Sequence, residues 1–454
     1  MCSATPHIGH GLNAESLRTA LEWGTDVVVA QGTSTDPGPY YLGAGVSYMQ
    51  RVAVKKDLTT LLTQTKAAGV PLIASLGGAG AAPHLEEALG IVDEIARENS
   101  LSLRLAVIGG EMKKEFVKKR LREGAGARRI VNTPYLVERL TEEEVDRSVR
   151  LVGQLGYEPI VAAFRQFPDI DGVVTGRALD VGLFAAFPMM WGFEAGLGLH
   201  FATVMHDGSL AAVPGSGSDG MYGVLEEQYF ELIPPNPGRT CTPTSVAGMS
   251  FYERPNPFLE HMPGGFLDVS QATYTQVADR KVRVKGAVWN PQPYTVKLEG
   301  AALVGCRTIC MAGVADPILI GKVDGVLDEV HGQVEEMFSE HKGQFQLLFR
   351  VYGKDAVLGT ASRRAAVPPS ELGVLIDVMA DTQDLADAVC SVTRSAAFHH
   401  GYSGRTTTAG NLAIPFSPVE VRVGPSYRYN VWHALELDDP VAPFPSRLVE
   451  FPRR

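Results

Sequence analysis

Four short stretches place groups capable of chemistry directly after apolar runs. QGTSTDPGPYYLGAG (31–45) follows the Val-rich DVVVA and presents Ser34, Thr35 and Asp36. SLGGAGAAPHLEE (75–87) follows PLIA and brings Gly77, Gly78, Gly80, His84 and Glu86. GGEMKK (109–114) carries Glu111, and TGRALD (175–180) carries Thr175, Arg177 and Asp180. Crowded carboxylates can share a proton and act as general acid and base, which makes Asp36, Glu111 and Asp180 catalytic candidates. His84 opens a helix, where the positive dipole end disfavours imidazolium, so a neutral ring could serve as base or donor. A guanidinium such as Arg177 suits bidentate binding of a carboxylate or phosphate. The Gly77/Gly78 turn leads into a helix whose free N–H groups could hold an anion or a carbonyl oxygen. Ser34 and Thr35 complete this set of substrate-binding candidates.

Each of these residues also has a plain structural reading. Asp36 precedes Pro37 and can cap a turn. Arg177 and Asp180 lie one helical turn apart and can pair with each other. Tight strand-to-helix links need glycine whatever their function. SLGGAGAAPH fits neither the Walker A nor the GxGxxG pattern. The carboxylates could hold Mg²⁺, but no spacing demands a metal, and no cofactor is expected.

Later loops add further candidates. PGSGSDG (214–220) offers Ser216, Ser218 and Asp219. A serine nucleophile would need a G-x-S-x-G elbow between strand and helix, and no apolar strand precedes this loop. Ser216 and Asp219 are therefore read as substrate-binding, with an ester, lactone or amide hydrolase as an alternative. In YTVKLEG (294–300), Lys297 and Glu299 share a strand face and read as a surface pair, with contact to the crevice as the other possibility. SGRTTTAGNLAIPFSP (403–418) supplies Arg405 and Asn411 as residues that could reach the same crevice.

The elements that must position these groups alternate. DVVVA, PLIAS, LRLAVIG and GVVTG read as short strands, separated by helical patterns over 51–68, 84–98, 112–123 and 141–155. Near-continuous apolar strands between helices imply a parallel sheet covered on both faces, hence an α/β fold. Ligands of such sheets bind where loops leave the carboxyl ends of the strands, and all four polar loops occupy such ends. An internal echo, SLRTALEWGTDVVVAQGTSTD against PIVAAFRQFPDIDGVVTGRALD, sets Asp36 and Asp180 in comparable places. Gly, Ser and Pro dominate 210–245, which places a domain junction near 235: an α/β domain over 1–235 and a smaller α+β domain over 236–454. In the second half, 281–288 and 293–300 read as a strand pair. Strands at 306–313, 344–353, 373–380 and 427–437, with helices at 315–340 and 382–399, then give a ferredoxin-like, split βαβ order.

At 454 residues the chain exceeds what one core normally serves. A net charge of −10 argues against a nucleic-acid partner. MCSATPHIGH lacks a basic start followed by an apolar core, and the longest apolar stretch, 180–205, is broken by Asp180, Pro188, Glu194 and His200. Five scattered cysteines suit a reducing compartment. These features predict a cytoplasmic protein with a small-molecule substrate and no membrane partner, and an enzyme of this kind is expected to be a homo-oligomer.

Eight blocks in order carry a resemblance that covers nearly the whole chain: STDPGPYYLG, LGGAGAAPHLE, TGRALD, PGSGSDG, RTCTPTSVAGMSFYE, YTVKLEGAALVGCRT, FRVYG and TAGNLAIPFSP. Together they resemble the acyclic terpene utilisation (AtuA-like) family. The resemblance implies a place in catabolism among acyl-CoA enzymes and a small ferredoxin-like companion protein. It transfers no residue roles to this chain. The expectation is a catabolic enzyme acting on a small carboxylic acid or its CoA thioester, a hydratase, lyase or isomerase using carboxylate acid/base chemistry. The non-catalytic alternative is a ligand-binding or scaffold subunit that needs the companion.

Overall fold

The structure, a computed structural model, describes residues 1–361, 369–406 and 409–453. The chain forms two compact units, one built from 1–302 with 429–454 and the other from 303–428. The passages between them lie inside long strands, Thr295–Val314 and Glu420–Glu436. The Gly- and Pro-rich stretch around 235 falls within the first unit, between the strands Phe230–Ile233 and Thr240–Cys241.

The first unit is organised by a ten-stranded mixed sheet. Its centre is parallel: Cys2–Ser3, Val28–Ala30, Leu72–Ser75, Gly172–Thr175 and Leu103–Ile108 are neighbours in that order. Antiparallel strands extend both sides, Ser446–Phe451 beside Leu103–Ile108 and Met221–Leu225 beside Cys2–Ser3. Val28, Val29, Ile73, Ala74, Val173 and Val174 are all buried, as expected for strands covered on both faces. One face packs against the helices Ala14–Glu22, Arg51–Ala68 and Ala82–Glu98, through Leu17, Leu58, Leu61, Leu85 and Leu89. The other packs against Glu158–Gln166, Asp180–Met190 and Ala195–His206. Helix Asp180–Met190 is apolar on every side because eight of its eleven residues are buried.

The register aligns the carboxyl ends of the central strands. Ser75 pairs with Thr175, and Thr175 with Ile108. The loop after Ser75 turns into a helix on one face, whereas the loop after Thr175 turns into a helix on the other. Ligand crevices of doubly wound sheets form at such divergence points.

Two local expectations are corrected. The helical pattern over 141–155 resolves into a short helix, Glu142–Arg147, and a strand, Arg150–Gly153. That strand pairs with Leu298–Ala301, so tertiary pairing overrides the local pattern. The segments near 281–288 and 293–300 do not pair with each other. Lys281–Lys285 lies between Phe230–Ile233 and Thr273–Ala278, whereas Thr295 begins the long strand to Val314.

In the second unit, Leu372–Ala380 lies antiparallel between Phe345–Tyr352 and the Cys306–Val314 part of the long strand. Helices Val323–Met337 and Gln383–His399 supply Val330, Val334, Ala386 and Val389 to its core. All five cysteines are unpaired, and burial pushes the thiols of Cys2, Cys241 and Cys390 up to about 12, which leaves them unreactive. Among the described residues no helix is long and apolar enough to cross a membrane.

Candidate functional site

The strand ends of the first unit are held together by backbone contact between their loops. A Cβ on Gly80 would lie 2.3 Å from the Arg177 backbone nitrogen, and one on Gly110 only 2.1 Å from it. Gly80 also sits at φ +72°, in the left-handed region. These two glycines let the loops after three strands close around Arg177.

Arg177 is buried and its guanidinium is highly ordered. Nε donates to Glu299 Oε2 at 2.9 Å, and Nη1 donates to the carbonyls of Thr33 (3.1 Å) and Ala178 (2.9 Å). Among the described residues Nη2 has no hydrogen-bond partner and is not fully occluded, although the side chain as a whole is only 5% exposed. Glu299 is completely buried. It accepts from Arg177, from Thr35 Oγ1 at 3.0 Å and from Gln154 Nε2 at 2.8 Å, and Lys297 Nζ lies 3.1 Å away. Burial opposes its charge, but Arg177 and Lys297 outweigh burial and hold the carboxyl at about 2. Burial likewise opposes the Arg177 charge, and Glu299 and Asp180 overcome it, keeping the guanidinium ionised. Lys297 rests over the Trp432 ring at 4.0 Å, and Tyr429 donates to the Thr35 carbonyl, so a C-terminal strand braces the loop after Ala30.

Asp180 Oδ1 lies 3.7 Å from Arg177 Nη1. Its side chain keeps 32% of its surface exposed, yet Oδ1 is occluded and accepts no hydrogen bond among the described residues. Desolvation of that inward oxygen raises its pKa; Arg177 and His206 pull the other way, and Asp36 and Glu299 add to the rise. Asp36 is exposed, and its N–H bonds Ser34 Oγ at 3.1 Å while its carboxylate acts on Arg177, Asp180, His7 and Tyr48.

Two groups unanticipated from sequence complete the wall. His7, after the first strand, has Nδ1 2.9 Å from the Ile8 carbonyl, which can only accept, so Nδ1 carries the proton. Nε2 therefore accepts from the Tyr48 hydroxyl at 2.6 Å. Burial, with Arg177 and His10 nearby, lowers His7 to about 4, and burial raises the Tyr48 phenol. Behind Asp180, His206 Nε2 lies 3.5 Å from Asp207 Oδ1. Burial disfavours its charge, but Asp207, Asp180 and Glu260 prevail and raise its pKa. The hints in sequence were an unassigned His in TPHIGH and a Tyr three residues past Gly45.

Other candidates serve the framework. His84 is fully buried, with Nδ1 accepting from the Ala81 N–H (3.1 Å) and Nε2 donating to the Tyr41 carbonyl (3.0 Å). Burial lowers its pKa, and no ring nitrogen is left for a base. Glu111 accepts the Ala82 N–H at 2.8 Å, capping that helix at its positive end. Gly77 and Gly78 adopt positive φ, and Gly78 spends its N–H on the Gly32 carbonyl while Ser34 N–H bonds the Gly78 carbonyl. The turn is thus a strut between strand-end loops. Ser216 Oγ accepts from the Ser218 N–H at 3.2 Å, and no histidine bonds either serine among the described residues. Asp219 is buried against Arg239 and Asn236, at 2.8 and 2.7 Å. Arg405 and Asn411 belong to the second unit, where Arg405 bonds the Ala409 carbonyl and Asn411 the carbonyls of Ala397 and His400. Among the described residues no cluster of three or more His, Cys, Asp or Glu could hold a metal ion.

The fold is α/β, and a buried Arg–Glu pair lies at the carboxyl ends of its central parallel strands. Residues 45–195 and 233–423 match the family described as acyclic terpene utilisation family protein AtuA. The chain belongs to that family. No curated protein and no solved structure matches it. The matched spans include Tyr48, Arg177, Asp180 and Glu299, whereas His7, Asp36, His206 and Ser216 lie outside them.

Proposed function

We propose that this chain is an enzyme of acyclic terpene catabolism that moves protons on a small carboxylic acid or its CoA thioester, by hydration, dehydration or isomerisation. One observation carries the reading: a buried, permanently charged arginine paired with Glu299 lies 3.7 Å from a partly exposed carboxyl, Asp180, whose inner oxygen accepts no hydrogen bond among the described residues. In this reading Arg177 Nη2 holds the substrate carboxylate or thioester oxygen. Asp180, whose pKa desolvation raises, acts as the acid; the exposed Asp36 acts as the base. The neutral His7–Tyr48 pair orients the reacting carbon's substituents through the phenol. The paired serines of the 214–220 loop lack a base, which disfavours the hydrolase reading. We also read the second unit as ferredoxin-like; its strand–helix–strand–strand–helix–strand order and antiparallel pairings support this.

The test is solvent-deuterium exchange, followed by NMR, over a panel of branched short-chain acids and their CoA thioesters. The wild-type protein should exchange a carbon-bound proton of at least one panel member, and Asp180→Asn should not. Equal exchange by Asp180→Asn would remove the assignment.

A further inference from the structure

We propose that Asp57 is a positioning residue of the strand-end site: acting through the Ile8–Gly9 peptide, it fixes the proton on His7 Nδ1 and thereby makes the Tyr48 hydroxyl a donor to His7. The inference rests on the reading of His7 and Tyr48 as part of that site. Asp57 lies on helix Arg51–Ala68 and is only 3% exposed. Its Oδ2 accepts from the backbone N–H of Gly9 at 2.7 Å and from that of Gly11 at 3.1 Å. Both residues have positive φ, +96° and +107°, a conformation that glycine adopts without strain. A Cβ on Gly9 would lie 2.5 Å from Met49 Cε, so the loop also needs glycine to close against the neighbour of Tyr48. Thr5 Oγ1 donates to the Gly11 carbonyl at 2.8 Å and braces the same loop.

The groups form one line of hydrogen bonds. Gly9 N–H and Ile8 C=O belong to a single peptide unit, whose N–H donates to Asp57 while its carbonyl accepts from His7 Nδ1 at 2.9 Å. His7 Nε2 in turn accepts from the Tyr48 hydroxyl at 2.6 Å. A carboxylate on the N–H side polarises the peptide and strengthens its carbonyl as an acceptor, because linked hydrogen bonds reinforce one another at low dielectric. Hydrogen bonds to a carboxylate are also stronger than those between neutral groups. Asp57 therefore holds the Ile8 carbonyl in place and favours the Nδ1–H tautomer of His7 over Nε2–H. With its hydrogen spent on His7, the phenol offers a reacting molecule only lone pairs; the other tautomer would free that hydrogen. His10, Arg177 and Asp36 act on the His7 ring through their charges, whereas the Ile8 carbonyl and the Tyr48 hydroxyl bond its nitrogens.

Nitrogen NMR of the full chain labelled at histidine tests this, with His7→Gln assigning the His7 signals. In the wild type at pH 7, His7 should be neutral with its proton on Nδ1. Asp57→Ala should bring up the Nε2–H tautomer, and Asp57→Asn, which keeps an acceptor but not the charge, should do so to a smaller extent. Leu61→Ala opens a cavity on the same helix, where Leu61 is fully buried, and should lower the melting temperature without moving the His7 proton. Should Asp57→Ala fail to fold, Asp57→Asn decides alone. A wild-type proton on Nε2, an unchanged tautomer in a folded Asp57 variant, or an equal shift in Leu61→Ala would overturn the proposal. The readout needs no substrate, so a wild-type protein that exchanges no proton would sink the reading of the site and leave this measurement intact.

Discussion

The two ends of the central parallel sheet offer opposite kinds of opening. At the amino ends lies a cavity of about 240 Å³ between Leu72, Leu103, Phe164 and Phe187, rimmed by Lys66 and Asp171. The rim pair meets at 2.7 Å, with both side chains partly solvated. At the carboxyl ends a fully buried carboxylate and a nearly buried guanidinium face each other at 2.9 Å. Solvated charges interact weakly, whereas charges held in a desolvated site keep strong fields on whatever enters. The proposed site therefore rests on polar groups buried against each other, not on the amount of space.

The sharpest break in this comparison is Arg177→Ala. It strands Glu299 in the interior with Lys297 as its remaining cation, and breaking a buried pair in this way costs about 3–5 kcal/mol. Thermal unfolding should show a drop of several degrees together with loss of ligand response. A joint Arg177→Met, Glu299→Leu change should recover much of the stability and none of the function. Non-additivity of that size would show that the pair is one unit.

Asp180→Asn comes next, and it separates chemistry from folding. Asp180 Oδ1 has no hydrogen bond to lose, so the melting temperature should stay close to wild type. Proton exchange should fall by about 10²–10⁴-fold, the usual contribution of a positioned acid. Asp36→Asn should behave similarly in stability, because the side chain is exposed. Unfolding in either variant would turn these residues into framework.

The strand-end loops were legible in sequence because apolar runs and glycine turns encode them locally. Arg177 and Asp180 were named by that logic, and Glu299 only as a surface residue that could alternatively contact the crevice, because its burial depends on Arg177, 122 positions earlier. Read alone, the Lys297–Glu299 alternation in YTVKLEG resembles the solvated face of an edge strand. His84 and Glu111 show the converse case: residue types suited to proton transfer whose polar atoms bond Ala81, Ala82 and Tyr41 backbone groups. Hydrogen-bond saturation is a three-dimensional property that spacing does not reveal. The second unit's strand and helix order was legible because each element carries its own periodicity. The place where the chain leaves the first unit was hidden inside a continuous strand.

Acid should act on the carboxyl end in two stages. His7 has a folded pKa near 4 against an ordinary 6.5, and buried His200 near 3. Between these limits the unfolded chain binds more protons, so stability falls as pH drops from 6.5 and levels off below the folded values. Glu299, at about 2 against 4.5, contributes stability that is present above 4.5 and disappears as pH falls through 2. Denaturant midpoints measured from pH 7 to 3 should fall throughout. His7→Gln should flatten the upper part of the curve only. A curve identical to wild type would show that folding does not shift the His7 pKa.

The smallest effect belongs to the amino end and completes the contrast. Lys66→Ala removes the rim cation, but Asp171 keeps its backbone partner, the Arg104 N–H at 2.7 Å. Exposed pairs contribute about 0.2–1 kcal/mol, so the unfolding midpoint should shift by at most a degree or two. Ligand response at the carboxyl end should not change. The 240 Å³ cavity would become more open and less charged while the protein behaves as before. If Lys66→Ala instead abolished ligand response, the larger cavity would be the working end of the sheet, and the buried Arg177–Glu299 pair would be reduced to a brace between its loops.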